Sequence, residues 1–153
     1  MRPGGDSRLL VALLRQLPVG GTLWVRGLGQ SMWPVLRSGD AVQVLRCGED
    51  AVAPGDIAVL VREDGGLTAH IVVRTAPVRT ASLLGREDAA AELLGRVIRL
   101  RTRGVELPVS PRVRPLLRGG QSLVSAAWRN PLLRGAWRWG RGLLASGWRG
   151  RSA

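Results

Sequence analysis

Residues 57–74 constrain the fold more than any other stretch. Ile57-Ala58-Val59-Leu60-Val61 is a continuous apolar run, and Leu67-Thr68-Ala69-His70-Ile71-Val72-Val73-Arg74 is a second one rich in β-branched residues, with Asp64-Gly65-Gly66 in the turn between. Two such runs around a glycine turn read as the strands of a hairpin. Residues 22–26 (Thr-Leu-Trp-Val-Arg) and 41–45, where Val42 and Val44 alternate, read as earlier strands. Residues 97–101 and 105–107 read as a further pair around Gly104, and residues 89–94 as a short helical turn. Many short strands divided by glycine turns predict a small, mainly β fold. Ahead of it, Leu9, Leu10, Leu13, Leu14 and Leu17 recur at helical spacing behind Asp6 and Ser7. They predict a short N-terminal helix over residues 7–17, with either Asp6 or Ser7 as its one N-cap, ended by Pro18 and Gly20-Gly21. Phe and Tyr are absent, so the core must rest on Val, Leu, Ile and some Trp.

Charge divides the 153 residues in two. Residues 1–106 carry fourteen arginines against all eleven acids, which leaves +3. Residues 107–153 carry nine arginines and no acid, so most of the net +12 belongs to this tail. The organisation expected is a domain over residues 1–107 and a Pro-, Arg- and Trp-rich basic tail over residues 108–153. Pro108, Pro111 and Pro115 read as a linker. Asn130-Pro131 then suits a helix start, with Asn as cap and Pro in the first turn. On that helix Trp128, Leu132, Ala136, Trp139 and Leu143 share one face and Arg134, Arg138 and Arg141 the other. Gly135, Gly140 and Gly142 weaken it by about 1 kcal/mol each, so it needs a surface to fold against. A single cysteine, Cys47, excludes an internal disulfide framework and reads as a small buried hydrophobe.

The chemistry is concentrated in two segments. The first is Gly29-Gln30-Ser31-Met32-Trp33-Pro34-Val35-Leu36-Arg37-Ser38-Gly39-Asp40. The second is Pro54-Gly55-Asp56-Ile57-Ala58-Val59, followed by Thr68-Ala69-His70-Ile71-Val72-Val73. A serine is a poor nucleophile until an adjacent base takes its proton. A glycine-flanked turn presents its hydroxyl, and Pro34 stiffens the loop behind it. Asp40 and Asp56 follow glycines at the starts of strands and read as acceptors for turn amides. The base cannot be lysine, because all 23 basic side chains are Arg, and arginine stays protonated at any working pH. His70, the only histidine, is competent as a general base when its imidazole is neutral.

Together the two segments resemble the G-x-S-M-x-P-x-x-x-x-G-D and P-G-D-I-V signatures of the signal peptidase I and LexA-like serine peptidases, over roughly residues 22–100. The resemblance implies a small β-barrel-type catalytic domain, to which the residue pattern adds the short N-terminal helix and the basic, helical C-terminal tail. It implies Ser31 as nucleophile, and, without lysine, it points to the branch that pairs serine with histidine, His70. It implies cleavage of a peptide or leader after a small residue, with Met32 and Gln30 beside the substrate. It also implies an acid that orients the histidine. Gly85-Arg86-Glu87-Asp88 offers Asp88, with Glu87 and Glu92 as weaker alternatives. Two positions depart from the pattern: Ile71 stands where an arginine usually follows the base, and Gly29 where a hydroxyl often helps hold the oxyanion. Backbone amides are left as oxyanion donors. These departures leave open a catalytically weak or inactive relative that binds a peptide or a membrane.

No metal and no cofactor is called for. The partners expected are a peptide or preprotein substrate and a membrane surface met by the tail, with no specific nucleic-acid reader motif. The apolar run 9–14, broken by Arg15, is far shorter than the roughly 20 residues of a membrane span, and it does not read as a secretory signal peptide. The expected location is the cytoplasm or the periphery of the cytoplasmic membrane.

Overall fold

The computed structural model describes residues 3–26, 28, 32, 35–36, 39–83, 87–88 and 92–129, without the side chains of residues 3–6, 87–88 and 124–129. The fold is mainly β. An N-terminal helix α1 (Pro3–Gln16) precedes β1 (Thr22–Arg26), β2 (Ala41–Arg46), β3 (Ile57–Val61), β4 (Leu67–Thr75), β5 (Val78–Ala81), β6 (Glu87–Asp88), β7 (Glu92–Thr102) and β8 (Val105–Pro108), and a helix α2 (Arg114–Arg129) follows. The strands form one antiparallel sheet in the order β1-β2-β7-β3-β4-β5-β6, with β8 also on β7.

The hairpin of residues 57–74 is present as β3 and β4, in register from Ile57↔Ile71 to Val61↔Leu67. Every residue of β3 is buried, so both faces of the sheet are covered there. Alternation sorts the side chains between them. Ile57, Val59 and Val61 join Ala69, Ile71, Leu94 and Val97 in one aliphatic cluster, which Val11 and Leu14 of α1 help complete. Ala58 and Leu60 join Val72, Leu93, Cys47 and Val52 in a second cluster on the other face. Leu10 and Leu17 pack against the first cluster, whereas Leu9 and Leu13 of the expected apolar stripe are exposed. Val11 takes the inward place instead.

Strand β7 is the spine of the sheet, pairing with β2, β3 and β8. It takes residues 92–94 of the helical turn expected over 89–94, whose residues 89–91 lie outside the described residues, and extends the strand expected over 97–101. Gly95 makes this possible, because a Cβ there would run into the carbonyl of Leu45 on β2. The pairing with β2 and β3, which buries Leu93 and Leu94, outweighs the helical preference of an Ala-, Glu- and Leu-rich segment.

The region expected to be a linker is also structured. Pro108 pairs with Arg99 at the end of β8, and α2 begins at Arg114, well before residue 130. Pro115 sits in the first turn, where its missing N–H costs no helical hydrogen bond. The Arg114 guanidinium clamps Asp56, donating from Nε to Oδ1 at 2.6 Å and from Nη2 to Oδ2 at 3.0 Å. Gly55, with φ of +93°, lets the helix come this close, since a Cβ would lie 2.6 Å from the Arg114 carbonyl oxygen and 2.7 Å from its Cβ. Leu117 then packs against the aliphatic cluster, and Gln121 is buried. The Trp- and Arg-faced helix expected beyond Asn130 lies outside the described residues.

Candidate active site

Strand β4 places the site. Ala69 and Ile71 enter the aliphatic cluster, so alternation sends Thr68, His70 and Val72 to the opposite face. His70 is 3% exposed and pairs with Ala58, a small residue that leaves room beside the ring. The Thr68 hydroxyl oxygen lies 3.3 Å from His70 Nε2. On β5, Thr80 pairs with Val72 and so shares this face. Continuing that register one residue past Ile71↔Ala81 sets Ser82 opposite His70. Thr68, His70, Thr80 and Ser82 are all buried. The result is a polar patch on a sheet whose other face is aliphatic.

The second motif segment supports this strand from below. The Gly55 amide donates to the Val72 carbonyl, and the Val72 amide to the Asp56 carbonyl, each at 2.8 Å. Asp56 accepts the Ala53 amide at 2.9 Å, the turn-amide role expected of it. It is also paired with Arg114, and Arg96 Nη1 lies 3.8 Å away. No local pattern points to the Arg114 partner, which is 58 residues distant.

The other site residues are placed unevenly. Met32 is 1% exposed and belongs to the aliphatic cluster that also holds Ala69 and Ile71, the two neighbours of His70. A turn fixes it, with the Leu36 amide donating to the Met32 carbonyl at 3.0 Å. Ser31 and Gln30 lie outside the described residues. Asp88 sits in β6, in register with Thr80 of β5. Glu87 and Asp88 thus form a short strand. Through Val72↔Thr80↔Asp88, that backbone position falls two strands from β4, in the row of Val72. Glu92 is elsewhere. It pairs with Val61, at the far end of β3 from Ala58, and its carboxylate holds Arg15 at 2.5 Å.

Cys47 is buried in the second cluster. Burial pushes its thiol above the ordinary range, with nearby Arg96 opposing, so it stays protonated and unreactive at neutral pH. Among the described residues no group of His, Cys, Asp and Glu could hold a metal ion, and no helix is long and apolar enough to cross a membrane. Thr68 is the residue that sequence reasoning missed. Its signal was available, as a hydroxyl two residues from the only histidine on a strand. No family model matches this chain, and no curated protein matches it.

Proposed function

We propose that this chain is a serine endopeptidase of the signal peptidase type, which cuts a peptide or leader after a small residue. Ser31 Oγ attacks the scissile carbonyl carbon while His70 takes the hydroxyl proton. The tetrahedral intermediate collapses as His70 returns that proton to the leaving amine. Water then enters, His70 removes its proton, and the acyl–serine ester is cleaved. Asp88 is the acid proposed to steady the histidine, and backbone amides the oxyanion donors. Met32 and Gln30 lie beside the substrate. The substrate lies extended along a sheet edge, and β1, an edge strand that leads into the Ser31 loop, suits this role. The sheet is proposed to curl as the barrel-type sheet of that family while staying open along β1.

One observation carries the proposal. Met32, next to Ser31, is buried in the same cluster as Ala69 and Ile71, the residues on either side of His70. Two segments about 40 residues apart in sequence, each bearing half of the chemistry, are thereby drawn to one core.

A second reading, a non-catalytic module that binds a peptide or a membrane, is favoured by two features. Ile71 is fully buried where the family carries arginine. Leu116 and Leu123, one heptad apart on α2, are 76% and 74% exposed in an acid-free, arginine-rich segment, which suits peripheral contact with anionic lipid. Intact-mass labelling by a serine-directed inhibitor separates the two. Wild type is expected to take up one equivalent at Ser31, and Ser31→Ala and His70→Ala none. A folded wild type that stays unlabelled would leave only the binding module.

A further inference from the structure

We infer that Thr68 is the positioning residue for His70, accepting a hydrogen bond from Nε2–H and so making Nδ1 the basic nitrogen. The inference rests on the peptidase reading for its catalytic consequence and on geometry for its placement. Thr68 and His70 lie two residues apart on β4, so their side chains share a face. Both are buried, and Oγ1 stands 3.3 Å from Nε2.

Neutral imidazole has one protonated nitrogen and one lone pair. If Nε2 were the acceptor, with Thr68 donating, the proton would sit on Nδ1. The lone pair would then be tied to a hydroxyl that is no substrate. A general base needs its lone pair directed at the proton it removes. With Nε2 held by Thr68, that lone pair must be on Nδ1, and Thr68 must accept. The contact then persists through the reaction, because the imidazolium formed when Ser31 loses its proton still donates Nε2–H to the same oxygen. Thr68 therefore favours the charged form at the step that creates it.

Other charged and titratable groups meet this face. Arg96 of β7 is in the row of His70, across Ala58. It opposes the imidazolium, but Asp56 lies 3.8 Å from it and is itself clamped by Arg114. Asp88 is placed by register two strands away on β6, and Cys47, on the same face, is neutral. None of these stands in for a hydroxyl on Nε2. The assignment also separates the duties of Thr68 and Asp88. Thr68 sets the tautomer, and the acid adds charge at a distance.

Because His70 is the only histidine, its ring nitrogens are readable by ¹⁵N NMR in the intact chain without ambiguity. In wild type above the histidine pKa, the proton is expected on Nε2. Thr68→Val keeps the shape of the side chain and removes the hydroxyl. It is expected to mix the tautomers and lower the His70 pKa. The acidic limb of the labelling rate then moves to lower pH, and the plateau rate falls about tenfold. Thr68→Ser is expected to restore all three. A wild-type ring protonated on Nδ1 would overturn the inference with no substitution needed. So would a folded Thr68→Val chain with unchanged tautomer and pKa. If the Nε2–H form is found but Ser31 is never labelled, the peptidase reading fails and the hydrogen-bond assignment stands.

Discussion

The two faces of the β3–β4 hairpin are built from one pair of strands and have opposite characters. One face is wholly aliphatic, with Ile57, Val59, Val61, Ala69 and Ile71 packed under α1. The other mixes Ala58, Leu60 and Val72 with buried Thr68, His70, Thr80 and Ser82. Aliphatic burial gains about 25 cal/mol per Å² without needing partners. Buried hydroxyls and imidazole gain little net and are costly wherever a partner is missing. On the proposed function, the contrast assigns stability to the first face and chemistry to the second.

Crossing two substitutions is the strongest way to break that comparison. His70→Ala on the polar face should reduce Ser31 labelling by a factor on the order of 10²–10⁴, with only a small loss of stability. Leu94→Ala on the aliphatic face should cost about 2–5 kcal/mol of unfolding free energy, yet leave the labelling rate of the remaining folded protein unchanged. Denaturant melts and labelling rates on the same two variants check both. If His70→Ala proved the more destabilising of the two, the polar face would be holding the fold and the division would fail.

Much of this contrast can be read from the sequence. Two apolar, β-branched-rich runs around a glycine turn identify both strands, and the alternation of side chains along any strand places His70 opposite Ala69 and Ile71. The one histidine, the absence of lysine and the motif around Ser31 point to the chemistry proposed. What escaped depends on contacts distant in sequence. Strand β5 follows a two-residue turn at Ala76-Pro77, and its Val78-Arg79-Thr80-Ala81 has no pattern of its own until Val72 and Ile71 pair with it. Residues 92–94 favour helix locally and become strand through pairing with β3. Helix α2 was obscured by three prolines and by Gly119-Gly120. It forms because Arg114 finds Asp56 and Leu117 finds the core, and no local rule announces either partner. Thr68 was the exception, a local signal passed over because a threonine in a strand is ordinary.

Thr80 sharpens the comparison at smaller scale. It is fully buried on the polar face, and its hydroxyl finds no hydrogen-bond partner among the described residues. Such a group costs about 1–3 kcal/mol. Thr80→Val keeps the shape and removes the hydroxyl, so the variant should be more stable by about 1 kcal/mol or more in denaturant melts. Destabilisation would mean that the hydroxyl is satisfied, and that the polar face is as well organised for stability as the aliphatic one.

The smallest effect concerns how α1 is fastened over the aliphatic face. Arg15, in the last turn of the helix, donates to Glu92 of β7 at 3.1 Å from Nε and 2.5 Å from Nη2. The hydrogen bond from Arg15, reinforced by its charge and partly opposed by burial, holds the Glu92 carboxyl below the usual range. A carboxyl depressed on folding adds stability that is fully present above its unfolded pKa, about 4.3, and is lost as pH falls through the folded value. Wild type should therefore lose an increment of stability below about pH 4.5 that Glu92→Gln never has. The difference between their melting temperatures should shrink as the pH drops from 6 toward 3. Both side chains are substantially exposed, so added salt should diminish the difference as well. A gap between the two that is independent of pH and salt would show that Glu92 acts through packing, and that α1 is held to the sheet by its apolar residues Leu10, Val11 and Leu14.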